Sequence, residues 1–472
     1  MKIHFERKYV VLFLFIFSLL LCQSIYIYIE EINSTTGYEK LIIGLKEGIP
    51  IENGMSVDEV EALNRAVSPQ MSTYYATDES VVTSDYGAFQ AQVYGVLGNF
   101  NEFSKVELNN GSFINDNDNN SNNYVVVIED TIAQKIFKSE NVIGLNMNIY
   151  NEKFEIIGVV SSEGAIMEKM LNKELPHIYI PLNTMKDINS NTYIGNIEYK
   201  NNDSYFDKAF MLDKIELVGK NSNNYFVEDL NITGIQQKQK YDILIFILGA
   251  YCLYRLLKVL FSIIKSMHNY FKDSIKKDYL TDALKIGKLR YMKGLIMIAG
   301  IVLLGVFIWK EISFSLYIAP EKIPDNPGSI SQHFLVLKEY LFDFVNFDYI
   351  HPLYKIKLSR FLQRVNNIVF LIGIVCELYL ILYVIKDKSN EIKDKINRFL
   401  NLGIYLVVSV LLSAFLLYLS GLPVLLSAVD IVLIWICFTV ILLPYKEEYL
   451  KLLYNINHYT NKIYKSESKN IN

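Results

Sequence analysis

Chemistry needs reactive side chains gathered together, and the polar stretch between residues 30 and 240 is poor in them. Its one histidine is His177, in "HIYIP", and it holds no cysteine. Cys22, Cys252, Cys376 and Cys437 each fall inside an apolar block. That distribution argues against a disulfide framework and against a C-x-x-C zinc site. It also leaves His177 without a thiol partner, and no G-x-S-x-G pattern accompanies it for a serine triad. Asp116 and Asp118, in "NDNDNNSNN", share the composition of a calcium loop but lack the fixed Gly and terminal Glu of an EF-hand. No G-x-x-x-x-G-K followed by Ser or Thr occurs; the nearest phrase, "ALKIGKLRY", lacks the first spacing and the hydroxyl. The net charge is −4 and no basic stripe interleaves with aromatics, so nucleic acid is not an expected partner. The reading is therefore of a non-enzyme without catalytic, cofactor or metal residues.

Other ionisable residues stand out by where they sit. Arg255, Glu377 and Asp430 lie within apolar runs, where a charge costs roughly 2.5–3.5 kcal/mol on insertion scales. Two arrangements follow from this. Arg255 pairs with Glu377 or Asp430 between helices, or Arg255 and Lys258 snorkel to the membrane edge and the carboxyls stay neutral.

The elements that carry these residues are membrane spans. "YVVLFLFIFSLLLCQSIYIYI", Tyr9 to Ile29, is long enough to cross a bilayer, and it lacks the short core and small-residue cleavage site of a signal peptide. Five more spans are expected at 243–264, 292–309, 368–385, 399–420 and 424–443, with "SGLP" as a tight turn between the last two. The chain divides into residues 1–29 (a cytoplasmic stub and the first span), 30–240 (an outward domain) and 241–472 (a helical membrane domain). Lys and Arg gather in the loops around 265–293 and 386–398, which places residues 30–240 outside by the positive-inside rule. Lys355, Lys357, Arg360 and Arg364 dissent, since they fall on the outer side. "FLVLKEYLFDFVNFDYIHPLYKIKLSRFL" is accordingly read as an amphipathic segment along the interface.

Within the outward domain, Ser56 and Glu59 form a capping-box pattern ahead of a helix. "AQVYGVL", "NYVVVIE", "NMNIY", "KFEIIGVV" and "PHIYIPL" read as strands. "DTIAQKIF" reads as a short helix capped by Asp130, and residues 115–123 as an exposed loop.

The series "VYGVLGNFNEFSKVELNNGSF", "VVVIEDTIAQKIF", "VIGLNMNIYNEKFEIIGVV" and "HIYIPLNT" resembles the periplasmic core domain of MacB/FtsX-type ABC transporter permeases. Gly95, Gly111, Phe113, Ala133, Phe137, Gly144, Phe154, Gly158, Val159 and Pro181 occupy the matching places. The chain departs from the pattern at Ser112, Lys138 and Val142. The resemblance implies an α+β extracytoplasmic domain inserted between transmembrane helix 1 and a C-terminal helical membrane domain. It implies a permease-like subunit of an ABC-type export or mechanotransmission complex, with the ATPase on a separate chain, a homodimer or heterodimer of permeases, and the lipid bilayer as surroundings. "KKDYLTDALKIGKLRYMKG", with Asp282, Lys285, Lys288 and Arg290, occupies the place of the family's ATPase-coupling loop without its Glu-Ile-Gly signature; a headgroup anchor is the other reading. Five spans after the outer domain, where the family has three, favour an alternative: a membrane scaffold or sensor without ATPase coupling.

Overall fold

The computed structural model describes residues 7–34, 40–161, 175–201, 206–276, 279–318, 323, 326, 328–342, 354–386, 392–424 and 428–442. Helix α1, Arg7–Ser34, is apolar around its whole circumference and so is buried rather than amphipathic. Phe15, Leu19, Cys22 and Ile25 lie at its packed centre.

The polar domain is built on ten strands: β1 Lys40–Leu45, β2 Ser72–Ser84, β3 Gly87–Val96, β4 Leu108–Gly111, β5 Val125–Glu129, β6 Asn146–Ile149, β7 Glu152–Val160, β8 His177–Pro181, β9 Ile194–Lys200 and β10 Tyr225–Asp229. They form one mixed sheet in the order β10-β1-β9-β2-β3-β8-β5-β7-β4, with β6 beside β7 and touching β2. The β3–β8 and β5–β7 pairs are parallel and the rest antiparallel. Among the described residues, the strands are accompanied by helices α2 Val57–Val67, α3 Phe100–Ser104, α4 Asp116–Asn120, α5 Asp130–Ile132 and α6 Leu182–Ile188, and by α7 Lys208–Leu217 ahead of β10.

Alternation of side chains gives the sheet two unlike faces. One is aliphatic: Leu41, Ile43, Ile128, Ile178 and Ile197 pack under α2, α6 and α7. The other carries Tyr75, Tyr94 and Tyr179 against Phe100 of α3. This second face also holds the domain's buried polar residues, among them Lys40, Glu129, His177, Glu198 and Glu228.

Two local expectations are corrected. Residues 115–123 contain a helix, because Asn115 caps it: its Oδ1 accepts from the Asn117 and Asp118 amides, and Asp118 accepts in return from the Asn115 amide. Asn119 is buried there, bonding both the amide and the side chain of Asn183. Asp130 is the first residue of α5 and not its cap; a π-helical turn, Ala133–Phe137, continues the element and ends at Lys138 in the left-handed region, φ 56°.

The membrane part contains α8 Leu230–Ile275, α9 Leu280–Ile312, α10 Ile330–Phe342, α11 Tyr354–Lys386, α12 Ile392–Leu419 and α13 Ala428–Leu442. Among the described residues, four helical stretches are long and apolar enough to cross a membrane, Tyr9–Glu31, Leu230–Ile275, Gly287–Ile312 and Ile356–Tyr383; Gly403–Leu419 and Ala428–Ile441 are shorter apolar helices. α8 starts well before residue 241, because the polar run "QQKQK" is made of good helix formers and Asp229 caps it.

α8 and α9 form an antiparallel hairpin. Gly287, Gly294, Ile301 and Ile308 recur every seven residues along α9, with Tyr291, Ile298, Gly305 and Ile312 offset by four. This is a coiled-coil seam. Its glycines let α8 side chains approach: a Cβ at Gly294 would strike Met267, and one at Gly287 would strike Tyr291 and Tyr270.

Candidate functional site: the junction between sheet and membrane helices

β10 runs into α8 without a linker. Asp229 ends the strand and caps the helix, accepting from the Asn231 and Ile232 amides at 2.9 and 3.2 Å. Its neighbour Glu228 points, by strand alternation, from the polar face toward α11. There Arg360 donates to Glu228 Oε2 through Nε at 3.2 Å and Nη2 at 3.0 Å. The guanidinium lies 4.4 Å from the centroid of the Phe226 ring, and Thr233 Oγ1 donates to the other carboxylate oxygen at 3.3 Å. Both partners are buried, so losing either one strands the other's charge away from water.

Deeper along α8 the connection continues. Gln237 Oε1 accepts from Asn366 Nδ2 at 2.8 Å and from Lys240 Nζ at 2.6 Å, and Lys240 also reaches Asn367 Oδ1. Tyr241 then donates its hydroxyl proton to Asp430 Oδ2 at 2.6 Å, tying α8 to α13. These bonds cross-link the helix that leaves the sheet to two other helices, α11 and α13.

The polar face holds a second arrangement. Glu129, at the end of β5, meets His177 Nδ1 at 3.2 Å and accepts from Thr131 Oγ1 at 3.2 Å. The Tyr94 ring closes over the imidazole, centroids 5.1 Å apart. Burial pushes the Glu129 carboxyl up to about 7 and the His177 imidazole down to about 4. Near neutrality the imidazole is therefore uncharged, and the pair is a shared hydrogen bond more than an ion pair. Both residues are buried. The contact closes the sheet face and offers no open site to a substrate. On the same face but several strands away, Lys40 of β1 and Glu198 of β9 form an ion pair at 3.3 Å.

Neither Arg255 nor Asp430 hydrogen-bonds Glu377. Asp430 is occupied by Tyr241. Among the described residues neither Glu377 oxygen has a hydrogen-bond partner, so the expected Arg255–Glu377 pair is corrected. Glu377 has the Cys437 thiol in its surroundings, and that thiol bonds Cys252. Arg255 is half-buried on α8.

The stretch expected to couple to an ATPase is helical: residues 280–312 form one continuous helix packed along the seam against α8. Lys285 and Lys288 are exposed on its outer turns, and Arg290 stacks at 4.0 Å on Tyr270 of α8. Asp282 lies in the first turn, its side chain outside the described residues.

The positions carrying the resemblance are structural. Gly111, φ 81°, faces Gly158 across the β4–β7 pair, where any Cβ would run into the opposite backbone. A Cβ at Gly95 would meet Met185 of α6. Gly144, φ 84°, turns into β6. Ala133 and Phe154 are in the core, Phe113 stacks on Phe100, Phe137 meets Tyr86 edge-on, and Pro181 ends β8.

Sequence reasoning missed Glu228, Gln237, Asn366 and Glu129. The signal for the first was present in Arg360, one of the cations on the wrong side by charge counting. The interfacial reading is corrected for Ile356–Arg364, which are part of α11, with Arg360 turned toward the sheet; residues 343–353 lie outside the described residues.

Residues 15–205 match the model of the MacB-like periplasmic core domain. The macrolide export ATP-binding/permease protein MacB of Aggregatibacter actinomycetemcomitans is 24% identical over 153 residues, which is 32% of this chain and 23% of that protein. MacB of Syntrophobacter fumaroxidans is 33% identical over 85 residues, 18% of this chain and 12% of that protein. The matches thus span less than a quarter of the curated relatives' length. Among solved structures, the periplasmic region of MacB from Actinobacillus actinomycetemcomitans is 19% identical with a TM-score of 0.34, covering 42% of this chain and 91% of that one. The extracellular domain of the noncanonic ABC-type transporter YknZ from Gram-positive bacteria is 17% identical with a TM-score of 0.31, covering 40% and 99%. Residues 15–205 are thus a MacB-like periplasmic core domain in an α+β fold, as the sequence resemblance implied.

Proposed function

We propose that this chain is a multi-pass subunit of the cell membrane, the permease-type partner of a separate ABC ATPase, and that it passes motion between the cytoplasmic hairpin and the outer sheet. The observation that supports this is the continuity of α8. Its 46 residues extend about 69 Å at 1.5 Å per residue, against a hydrocarbon core of about 30 Å. One rod therefore reaches from β10 through a bilayer and beyond it on both sides. The Glu228–Arg360 pair holds its upper end, and the α9 seam carries Lys285 and Lys288 beside its lower end. Two copies, or this chain and a related permease, would flank the ATPase pair.

The test is gentle solubilisation with crosslinking, followed by identification of what co-purifies. A stoichiometric P-loop ATPase, whose activity changes when the chain is reconstituted with it, supports the reading. Absence of any such ATPase under crosslinking sinks it and favours the scaffold or sensor without ATPase coupling.

A further inference from the structure

Glu377 has no part in the junction. It lies well inside Ile356–Tyr383, a stretch long and apolar enough to cross a membrane, and is 1% exposed. Neither of its oxygens has a hydrogen-bond partner among the described residues. α11, which carries it, packs against α1, α8, α10 and α13. Among the described residues, none of the charged and titratable groups those helices bring hydrogen-bonds it. Lys240 is held by Gln237 and Asn367, and Asp430 by Tyr241. On α1, Tyr26 bonds Glu30 and interacts with Asp242 of α8, while Cys22 interacts with Lys240. α10 offers His333 and Lys338, both exposed. Arg255 on α8 makes no hydrogen bond to Glu377. What shares its surroundings is the Cys437–Cys252 thiol pair, which supplies no compensating charge.

An ionised carboxylate in that place would have neither water nor a donor, and a group so placed takes up a proton instead. We propose that Glu377 is a proton-binding site inside the helical bundle, occupied at neutral pH and emptied only when the helices part enough to admit water. This rests on the bilayer placement of α11 and not on the ATPase partnership.

A protonated carboxyl in hydrocarbon has a diagnostic reaction with a lipid-soluble carbodiimide. The carboxyl proton moves to one reagent nitrogen, the oxygen adds to the central carbon, and the O-acylisourea rearranges to a stable N-acylurea. Nothing leaves, so the peptide gains the whole mass of the reagent. Membranes containing the full chain are treated with dicyclohexylcarbodiimide or with a water-soluble carbodiimide, and the peptide bearing Glu377 is followed by mass spectrometry. The expected result is modification of Glu377 by the lipid-soluble reagent about tenfold or more faster than by the water-soluble one. Glu377→Gln, which imitates the protonated acid, abolishes the adduct and leaves thermal stability in detergent unchanged. Equal labelling by both reagents, or labelling by neither, overturns the proposal, as does destabilisation by Glu377→Gln. Extraction of the chain from membranes by alkali would instead refute the bilayer placement. A labelled chain that brings down no ATPase leaves the proton site standing.

Discussion

The Glu129–His177 contact makes a prediction with opposite signs for its two partners. Glu129 is raised from 4.5 to about 7 and His177 lowered from 6.5 to about 4, chiefly by burial in both cases. A raised carboxyl binds its proton more tightly in the folded state. It favours folding fully below pH 4.5, and that contribution is lost as the pH rises to about 7. A lowered imidazole works the other way, contributing above pH 6.5 and losing that contribution as the pH falls to about 4. Each shift of about 2.5 units corresponds to about 3 kcal/mol. In the wild type the two slopes oppose each other between pH 4.5 and 6.5, and the pair contributes little net pH dependence there. Breaking the pair exposes each slope. Relative to wild type, Glu129→Gln should lose about 3 kcal/mol of stability between neutral pH and pH 4. His177→Gln should lose a similar amount in the other direction, between acid and neutral pH. The assay is hydrogen exchange of the β5 and β8 amides in the full-length chain, corrected for intrinsic exchange at each pH. Differences taken against wild type remove every other titrating group. Parallel profiles for both variants, or tilts of the same sign, would refute the account of a pair that shares one proton.

The junction, the turn at Lys138 and the hairpin seam give three more. Arg360→Met should destabilise the junction by about 3–5 kcal/mol, and adding Glu228→Gln should restore at least half of that; thermal unfolding in detergent reads both, and strict additivity would remove the ion pair from the explanation. Lys138→Gly should stabilise the domain by about 0.5–1 kcal/mol, because a lysine at φ 56° is replaced by the residue that takes that conformation freely; a lower melting temperature counts against it. Gly294→Leu forces Met267 out of the seam, at about 1–3 kcal/mol. Spin labels at Lys272 and Lys288 should then report a longer and broader distance distribution, and an unchanged one would mean the seam does not set the helix spacing.

The strands that alternate or run apolar could be read directly, because burial on one or both faces dictates their pattern. β6, β7 and β8 are examples, and so is the Ser56–Glu59 box ahead of α2. β2 could not be, since "STYYATDESVVTS" mixes polar residues on both faces and becomes a strand through its partners β3 and β9. α4 was hidden for a different reason: asparagine and aspartate favour turns until their side chains find the amides of a helix start, and the Asn183 contact that buries Asn119 lies 64 residues away. The candidate site was the least legible part. Glu228 and Arg360 are 132 residues apart, and nothing local distinguishes Glu228 from a solvent-facing strand residue.

What could be seen was a discrepancy. Counting Lys and Arg placed 355–364 on the cytoplasmic side, while the spacing of the spans placed it outside. The counting rule measures the difficulty of moving bare cations across a membrane, and it assigns every cation the same weight. Arg360 is not bare in the folded protein, since Glu228 takes its charge and the Phe226 ring covers its face. Lys357, one turn earlier, stays exposed. A cation that violates a topology rule has to be neutralised locally, and the group that does so here belongs to the sheet domain. The same contact fastens the first turns of α11 to the last strand of the sheet. The anomaly in the charge pattern and the junction between sheet and helices are therefore one feature.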